Sequence, residues 1–445
     1  MTAEMVAHLR QRESASFDAP SPRLTVPRQP GNPMPLDRLT DLLGAHVREL
    51  ERKGTAKGAE AVVTAVEMPR GERGPRVRLE GEGETSFIRL NSNSYLGMGL
   101  RSDVIAAEEA EARASGVGPG AVRFISGTYA AHVELERRLA RFHGREEAML
   151  FSSAYAAVVG CLVPLIDPAT TLISDQLNHN SIINAVRLAR PLSKVVYPHL
   201  DMRALDRALA QAAGKARRAV VVTDGIFSMR GVHAPVDEIV EIARRHDRSF
   251  PENVVVVLDD SHGVGAIGAT GRGTEEYTGA PPVDVLVATL GKAIGVNGGY
   301  VATSSALVRY LRESAPFYIY SNPITPGEAR AALKALEILD SEEGRRLLER
   351  LRALTRRFED GLVRLGIEVL KGEHPVVPLM IRDTARTHEL VRHLRDHGIL
   401  ATGLAFPVVP RGDEEIRAQI NADHTEADID YVLEVLANRP GGAGT

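Results

Sequence analysis

Between Ala148 and about Thr303 the chain repeats one pattern, a short apolar run followed by a longer stretch with helical spacing. The runs are "AMLF", "TLIS", "KVVY", "AVVVTD", "VVVVLDD", "DVLVATL" and "GGYVAT". Near-continuous apolar runs are what strands covered on both faces require. The alternation therefore predicts an α/β fold, with a mostly parallel central sheet and helices on both sides. Upstream, Leu36, Leu39, Leu42, Leu43, Val47 and Leu50 recur at helical spacing, which predicts an amphipathic helix ending at Gly54. "RVRLEGEGETSFIRL" alternates around turn glycines and reads as a hairpin. The proline-rich "PSPRLTVPRQPGNPMP" before the helix reads as an extended arm. After Pro326 come a long helical segment, the run "VVPLMI", a helix near residues 387–398, "IRAQIN", a last helix and a frayed tail. The chain thus divides into an N-terminal arm, helix and hairpin (1–90), a large domain (91–325) and a smaller C-terminal α+β domain (326–445).

Composition narrows the class. Hydrophobic residues make up 44% of the 445 positions, enough for a sizeable core, and the net charge is −4. No basic excess points to nucleic acid. The N-terminal "MTAEMVAHLRQRES" lacks the apolar core of a signal peptide. No apolar stretch approaches the ~20 residues that span a bilayer. The single cysteine, Cys161, rules out an intrachain disulfide and fits a reducing compartment. The expectation is a soluble cytoplasmic protein with no nucleic-acid or membrane partner.

In sheets of this kind, ligands sit beyond the carboxyl ends of the strands. Asp175, His179, Asp224, Ser228, Asp259, His262, Thr289 and Lys292 all fall there. Alone, Asp259 in "VVVVLDDSHG" reads equally well as an acid that ends a strand. Lys292 changes the weighing, because it lies among glycines at the end of "DVLVATLGK". A lysine and an aspartate at the ends of separate strands suit pyridoxal phosphate. The amine bonds the aldehyde carbon, and the carboxylate keeps a proton on the pyridine nitrogen. "FSSAYAAVVG" is a strand-to-helix turn of small residues, and its N–H groups at Ser153, Ala154 and Tyr155 can face a phosphate. Thr289 could add a hydroxyl, and His179 a flat ring to stack on the cofactor. No metal is expected. The fourteen histidines give no HExxH signature, and a lone cysteine excludes a thiolate zinc site.

In their order and spacing, "SYLGMG", "AVRFISGTYAAHVELE", "NHNSII", "TDGIFSMRG", "VLDDSHGVGAIGATGRG", "TLGKAIG", "YSNPITP" and "FPVVPRG" resemble the α-oxoamine synthases. These are pyridoxal-phosphate enzymes of the aminotransferase-like fold type I. The resemblance runs from about Asn91 to His424 and is nearest to the glycine C-acetyltransferase branch. It implies that Lys292 bonds the cofactor, Asp259 pairs with the ring nitrogen, His262 bonds the ring hydroxyl side and His179 stacks on the ring. Ser153, Ala154, Tyr155 and Thr289 would bind phosphate, and Ser228 would help hold ring or phosphate groups. Ser321 would reach the phosphate of the neighbouring subunit, so a homodimer with shared active sites is implied. Asn93 and Arg417 would hold the substrate carboxylate. The implied reaction joins a small amino acid, glycine first, to an acyl thioester of coenzyme A or a carrier protein. Carbon dioxide is lost and an α-amino ketone results.

Alternatives stay open at this point. An aminotransferase shares the lysine and the aspartate. Synthases forming 8-amino-7-oxononanoate, 3-ketosphinganine or 5-aminolevulinate share still more. This chain has "SMRG" and "EEIR" where the family frequently has "SMDG" and "ARIR". Arg230 and Glu415 are therefore charge changes beside site motifs. They are expected either near the acyl entrance, altering the donor, or as surface drift.

Overall fold

The computed structural model describes residues 36–440, apart from Lys57 and Pro407. The proline-rich arm and the end of the tail lie outside the described residues. The chain forms two compact units, one ending at Glu60 and one starting at Ala61. The first holds the expected helix, Asp37–Arg52. Gly54 follows it at φ +67°, a left-handed conformation that glycine adopts without a Cβ penalty.

The seven apolar runs form one seven-stranded sheet in the second unit. The strands are β1 (Glu147–Phe151), β2 (Thr170–Asp175), β3 (Ser193–Tyr197), β4 (Arg218–Asp224), β5 (Val254–Asp259), β6 (Val285–Thr289) and β7 (Gly299–Thr303). Their order is β1-β7-β6-β5-β4-β2-β3. β7 runs antiparallel to both its neighbours, and every other adjacent pair is parallel. Successive side chains of a strand point to opposite faces, and here both faces are apolar. Ile173, Ala219, Val221, Leu258 and Leu286 pack into one core. Leu172, Val220, Val222, Val257 and Val287 pack into the other. Each such side chain contributes ~1.5–3 kcal/mol on burial, so each face needs a helical cover. Helices Ala154–Leu165 and Asn180–Leu188 supply it on one side. Ala130–Phe142, Met202–Ala212 and Val236–His246 supply it on the other.

"RVRLEGEGETSFIRL" closes on itself at one antiparallel bridge, where Val77 and Phe87 each donate an N–H to the other's carbonyl, and otherwise finds its partners elsewhere. Its first half, Arg76–Leu79, pairs antiparallel with Val63–Glu67. Its second half, Ile88–Arg89, runs parallel to Ile399–Leu400. Only the Val77–Phe87 bridge joins the halves. Val77, Leu79 and Phe87 form a small apolar cluster across that bridge, whereas Ile88 and Leu90 enter the main core. The long helical segment after Pro326 is two helices, Pro326–Leu339 and Glu342–Arg364. They part at Ser341, whose side chain caps the second helix by accepting the Gly344 N–H. A four-stranded antiparallel sheet follows, containing Val376–Met380 beside Glu415–Gln419. Helices Thr384–Asp396 and Glu426–Ala437 complete this α+β portion.

One close approach positions the site. Gly299 opens β7 opposite both Thr289 and Phe151. A Cβ at Gly299 would overlap the backbone N and Cα of Ala154. Glycine therefore lets the start of helix Ala154–Leu165 rest directly on the sheet edge. Gly299→Ala is expected to cost about 1–3 kcal/mol through overpacking, seen as a lower urea midpoint. An unchanged midpoint would mean that the helix start shifts freely.

Candidate active site

The residues just beyond the carboxyl ends of β1, β2, β4, β5 and β6 converge. Ala154, Tyr155, His179, Asp259, His262, Thr289 and Lys292 line one cavity of about 220 Å³. Ser181, Asp224, Ile226 and Ser261 complete its wall. At one end, Ser153 caps helix Ala154–Leu165, its Oγ accepting the Ala156 N–H at 3.1 Å. The first-turn N–H groups of Ala154 and Tyr155 have no helical carbonyl to bond, which makes that end a natural anion seat. Thr289 Oγ1 accepts the Gly291 N–H at 3.0 Å and donates to the Gly298 carbonyl at 3.2 Å. These bonds hold the turn that presents Lys292.

The parallel register of β4 and β5 sets Asp224 beside Asp259, and both are buried. Asp224 Oδ2 accepts the His179 N–H at 2.9 Å. Burial first, then the neighbouring Asp259, push the Asp224 carboxyl well above the usual aspartate range. Asp259 Oδ1 accepts the Ser261 N–H at 3.2 Å. Lys292, half-buried, lines the same cavity. Burial pulls its amine down to about 8, against the opposing pull of Asp259 and Asp224.

Both cavity histidines are held neutral. His179 Nδ1 accepts the Ser181 N–H at 3.2 Å, so the ring proton sits on Nε2. Burial keeps this ring below the ordinary histidine value. His262 Nδ1 lies 2.8 Å from Tyr95 Oη. That hydroxyl is also 3.3 Å from Asn93 Oδ1, which accepts from Gln419 Nε2 at 3.1 Å. Burial, then the Lys292 charge, hold His262 well below its usual value. His374 donates from Nε2 to the His262 carbonyl at 2.8 Å and fixes the turn from behind.

The cavity fits pyridoxal phosphate on its own chemistry. It offers free helix N–H groups at one end, a pair of carboxyls, a lowered amine and a neutral imidazole. Within its wall, Ser261 Oγ is a buried polar atom with no partner, as a site for a polar ligand leaves one. Among the described residues, no group of His, Cys, Asp and Glu could hold a metal ion. No described helix is long and apolar enough to cross a membrane.

Five of the expected residues do not line this cavity: Ser153, which acts as the cap of the helix behind it, and Asn93, Ser228, Ser321 and Arg417. Asn93 reaches it only through Tyr95 and His262. Ser228 turns its carbonyl to Arg417 Nη1 at 3.2 Å, and the Arg417 charge is among those acting on Lys292 and His262. Ser321 lies just past the short helix Pro316–Ile319. The sequence puts Asp224 on this edge without a role, although it ends β4 as Asp259 ends β5. Tyr95, Ser181 and Ser261 lie within the motifs that carry the resemblance but have no signal of their own there, and His374 lies outside every one of those motifs. Arg230 is half exposed and pairs with Asp413 at 3.4 Å. Glu415 is only 3% exposed, so surface drift does not explain it.

Fold and site together define a pyridoxal-phosphate-dependent enzyme of fold type I. The family described as aminotransferase class I and II matches residues 85–436. Bovine mitochondrial 2-amino-3-ketobutyrate coenzyme A ligase is 36% identical over 92% of this chain and 94% of its own length. The 8-amino-7-oxononanoate synthase of Symbiobacterium thermophilum is 37% identical over 90% of this chain and 97% of its own. The serine palmitoyltransferase of Sphingomonas wittichii superposes with a TM-score of 0.79 at 25% identity, over 91% of this chain and 98% of that one. The chain belongs to the aminotransferase class I and II family and, within it, to the α-oxoamine synthases. Pyridoxal phosphate is its cofactor, and its reaction is condensation of an amino acid with an acyl thioester.

The carboxyl pair yields a stability prediction. A carboxyl raised in the folded state is most compatible with folding below its unfolded pKa, and that stability is lost as pH rises through the folded value. Asp224→Asn keeps the acceptor for His179 and does not titrate. It should match wild type near pH 4 and exceed it by more than about 1 kcal/mol near pH 8. Denaturant melts at both pH values check this; a pH-independent difference would contradict it.

Proposed function

We propose that the enzyme joins glycine to an acyl-coenzyme A thioester, with an acyl carrier protein as the alternative carrier. The α-carbon bonds the acyl carbonyl carbon, the thiol leaves, and the resulting β-keto acid loses carbon dioxide to give an α-amino ketone. The observation that carries this reading is the Lys292 amine, set at about 8 by burial within one cavity with Asp224 and Asp259. When bound, pyridoxal phosphate supplies an aldehyde that captures the amino acid and a ring that stabilises negative charge at the α-carbon. Lys292 Nζ is the group that would hold that aldehyde, and once released it takes the α-proton. An amine near 8 is partly free base at neutral pH, which suits a general base. Asp259 is the carboxylate for the ring nitrogen, with Asp224 biased neutral beside it. His179 offers an uncharged aromatic face, and His262 a neutral imidazole near the ring hydroxyl. Ser153, Ala154, Tyr155 and Thr289 form the phosphate seat. Arg417 and Asn93 orient the substrate carboxylate, Arg417 with a fork of donors suited to that group.

A homodimer completes the reading. Ser321 lies outside the cavity of its own chain, next to Tyr320, which is 78% exposed. That supports a role for this segment at the partner's phosphate, with Ser228 backing the site from within. The single buried cysteine is in keeping with a cytoplasmic enzyme. An aminotransferase would use the same lysine and carboxylate, but the similarity to two carbon–carbon bond-forming synthases favours condensation.

Two measurements test this. Lys292→Ala, reconstituted with pyridoxal phosphate, should lack the visible-range absorbance band of the wild type and lose at least ~100-fold in rate. Thiol release should occur with glycine and one or more acyl-coenzyme A chain lengths. Amino transfer to a keto acid without thiol release would install the aminotransferase instead.

A further inference from the structure

Glu415 and Arg417 lie two apart on the strand Glu415–Gln419, so their side chains leave the same face. Glu415 Oε1 and Arg417 Nε are both buried without a partner. The turn between the short strands Ile226–Phe227 and Val232–His233 approaches this strand. Its Ser228 carbonyl accepts from Arg417, and its Arg230 reaches Asp413 at 3.4 Å. The neighbouring strands set Met380 and Leu404 beside Glu415, neither of them charged. The charges acting on the Glu415 carboxyl are thus Arg230 from the turn, Arg417 from its own strand and Asp413 from the preceding loop. Burial raises this carboxyl to about 7 even against the two arginines.

We propose that Glu415 is a positioning residue that competes with the substrate carboxylate for Arg417, so that amino-acid binding weakens as Glu415 ionises. The inference rests on the reading that Arg417 holds that carboxylate. The sign follows from linkage. A bound carboxylate neutralises Arg417 and withdraws its support from ionised Glu415, so binding raises the Glu415 pKa and takes up a proton. Affinity then falls as pH rises through about 7, while below that range the neutral carboxyl leaves Arg417 free. Arg230 acts the other way. It favours ionised Glu415, so removing it delays ionisation to higher pH.

The test is a calorimetric titration of the pyridoxal-phosphate-loaded enzyme with glycine, L-alanine and L-serine, carrying forward the tightest binder. Dissociation constants are compared between wild type and Glu415→Gln from about pH 5.5 to about pH 8.5. Taking the ratio cancels the titrations of Lys292 and of the ligand amine. It should be near one at the acid end and rise to ~3- to 10-fold weaker binding by wild type at the alkaline end. Glu415→Leu should reproduce the tighter alkaline binding, and Arg230→Gln should move the transition to higher pH. Buffers of different ionisation heat should show proton uptake near pH 7 in wild type and less in Glu415→Gln. A flat ratio overturns the inference, whatever the proton uptake. Arg417→Gln separates the two levels. If it abolishes binding while the ratio is flat, the inference alone falls. If it leaves binding intact, or if none of the three amino acids binds, the role of Arg417 falls and the inference with it.

Discussion

Two carboxyl groups at the same level of a parallel ladder, one strand spacing apart and both out of water, cannot both carry charge cheaply. The β4–β5 register imposes that arrangement on Asp224 and Asp259, and the cavity follows from it. Asp224 drifts toward its neutral form and anchors the His179 backbone, which places the imidazole at the cavity wall. Partial burial in the same cavity lowers the Lys292 amine. The register is itself fixed by burial on both faces, because a one-residue slip would exchange the two apolar cores and move the aspartates out of step.

The second constraint is the closeness of a helix start to the sheet edge. β7 is the one strand that runs backwards, so its first residue, not its last, lies at the edge where the others end. That first residue is Gly299, against Ala154. The glycines after Lys292 therefore serve two purposes. Gly298, at φ +119°, turns the chain into β7 and accepts the Thr289 hydroxyl through its carbonyl. Gly299 then admits the anion-seeking helix end. The lysine turn and the phosphate seat are one piece of geometry.

The strand runs were legible because burial on both faces leaves an unbroken apolar signature, and the edge residues followed from where those runs stop. Lys292 and Asp259 were legible for the same reason. The 76–90 segment was legible only as far as its Val77–Phe87 bridge, because its second half finds its main partner at Ile399–Leu400, more than 300 positions away, and alternation within a segment says nothing about a distant partner. Asp224 was visible as a strand end, but its role depends on register with β5, which no local pattern encodes. Tyr95 and His374 act behind His262 from the far ends of the chain. The charge changes at Arg230 and Glu415 were visible, but the burial that gives Glu415 its meaning was not.

Burial is the common cause of four opposed shifts. It lowers Lys292, His179 and His262 and raises Asp224. A direct ion pair would have done the reverse to the lysine, fixing it as an ammonium with no free amine to offer. Among the described residues no ion pair or hydrogen bond reaches the Lys292 amine; the carboxyls act on it only through space. The site thus keeps its amine near neutrality by holding charges close enough to be felt and too far to bond. Such a balance depends on how the strand ends are covered, and so on helix Ala154–Leu165 and on Ile226, both of which contribute to the cavity wall. A loosened Gly299 contact would displace the helix start that brings Ala154 and Tyr155 to the cavity. Gly299 also lies opposite Thr289, whose bonds hold the Lys292 turn, so the anion seat and the lysine turn are coupled through one packed edge.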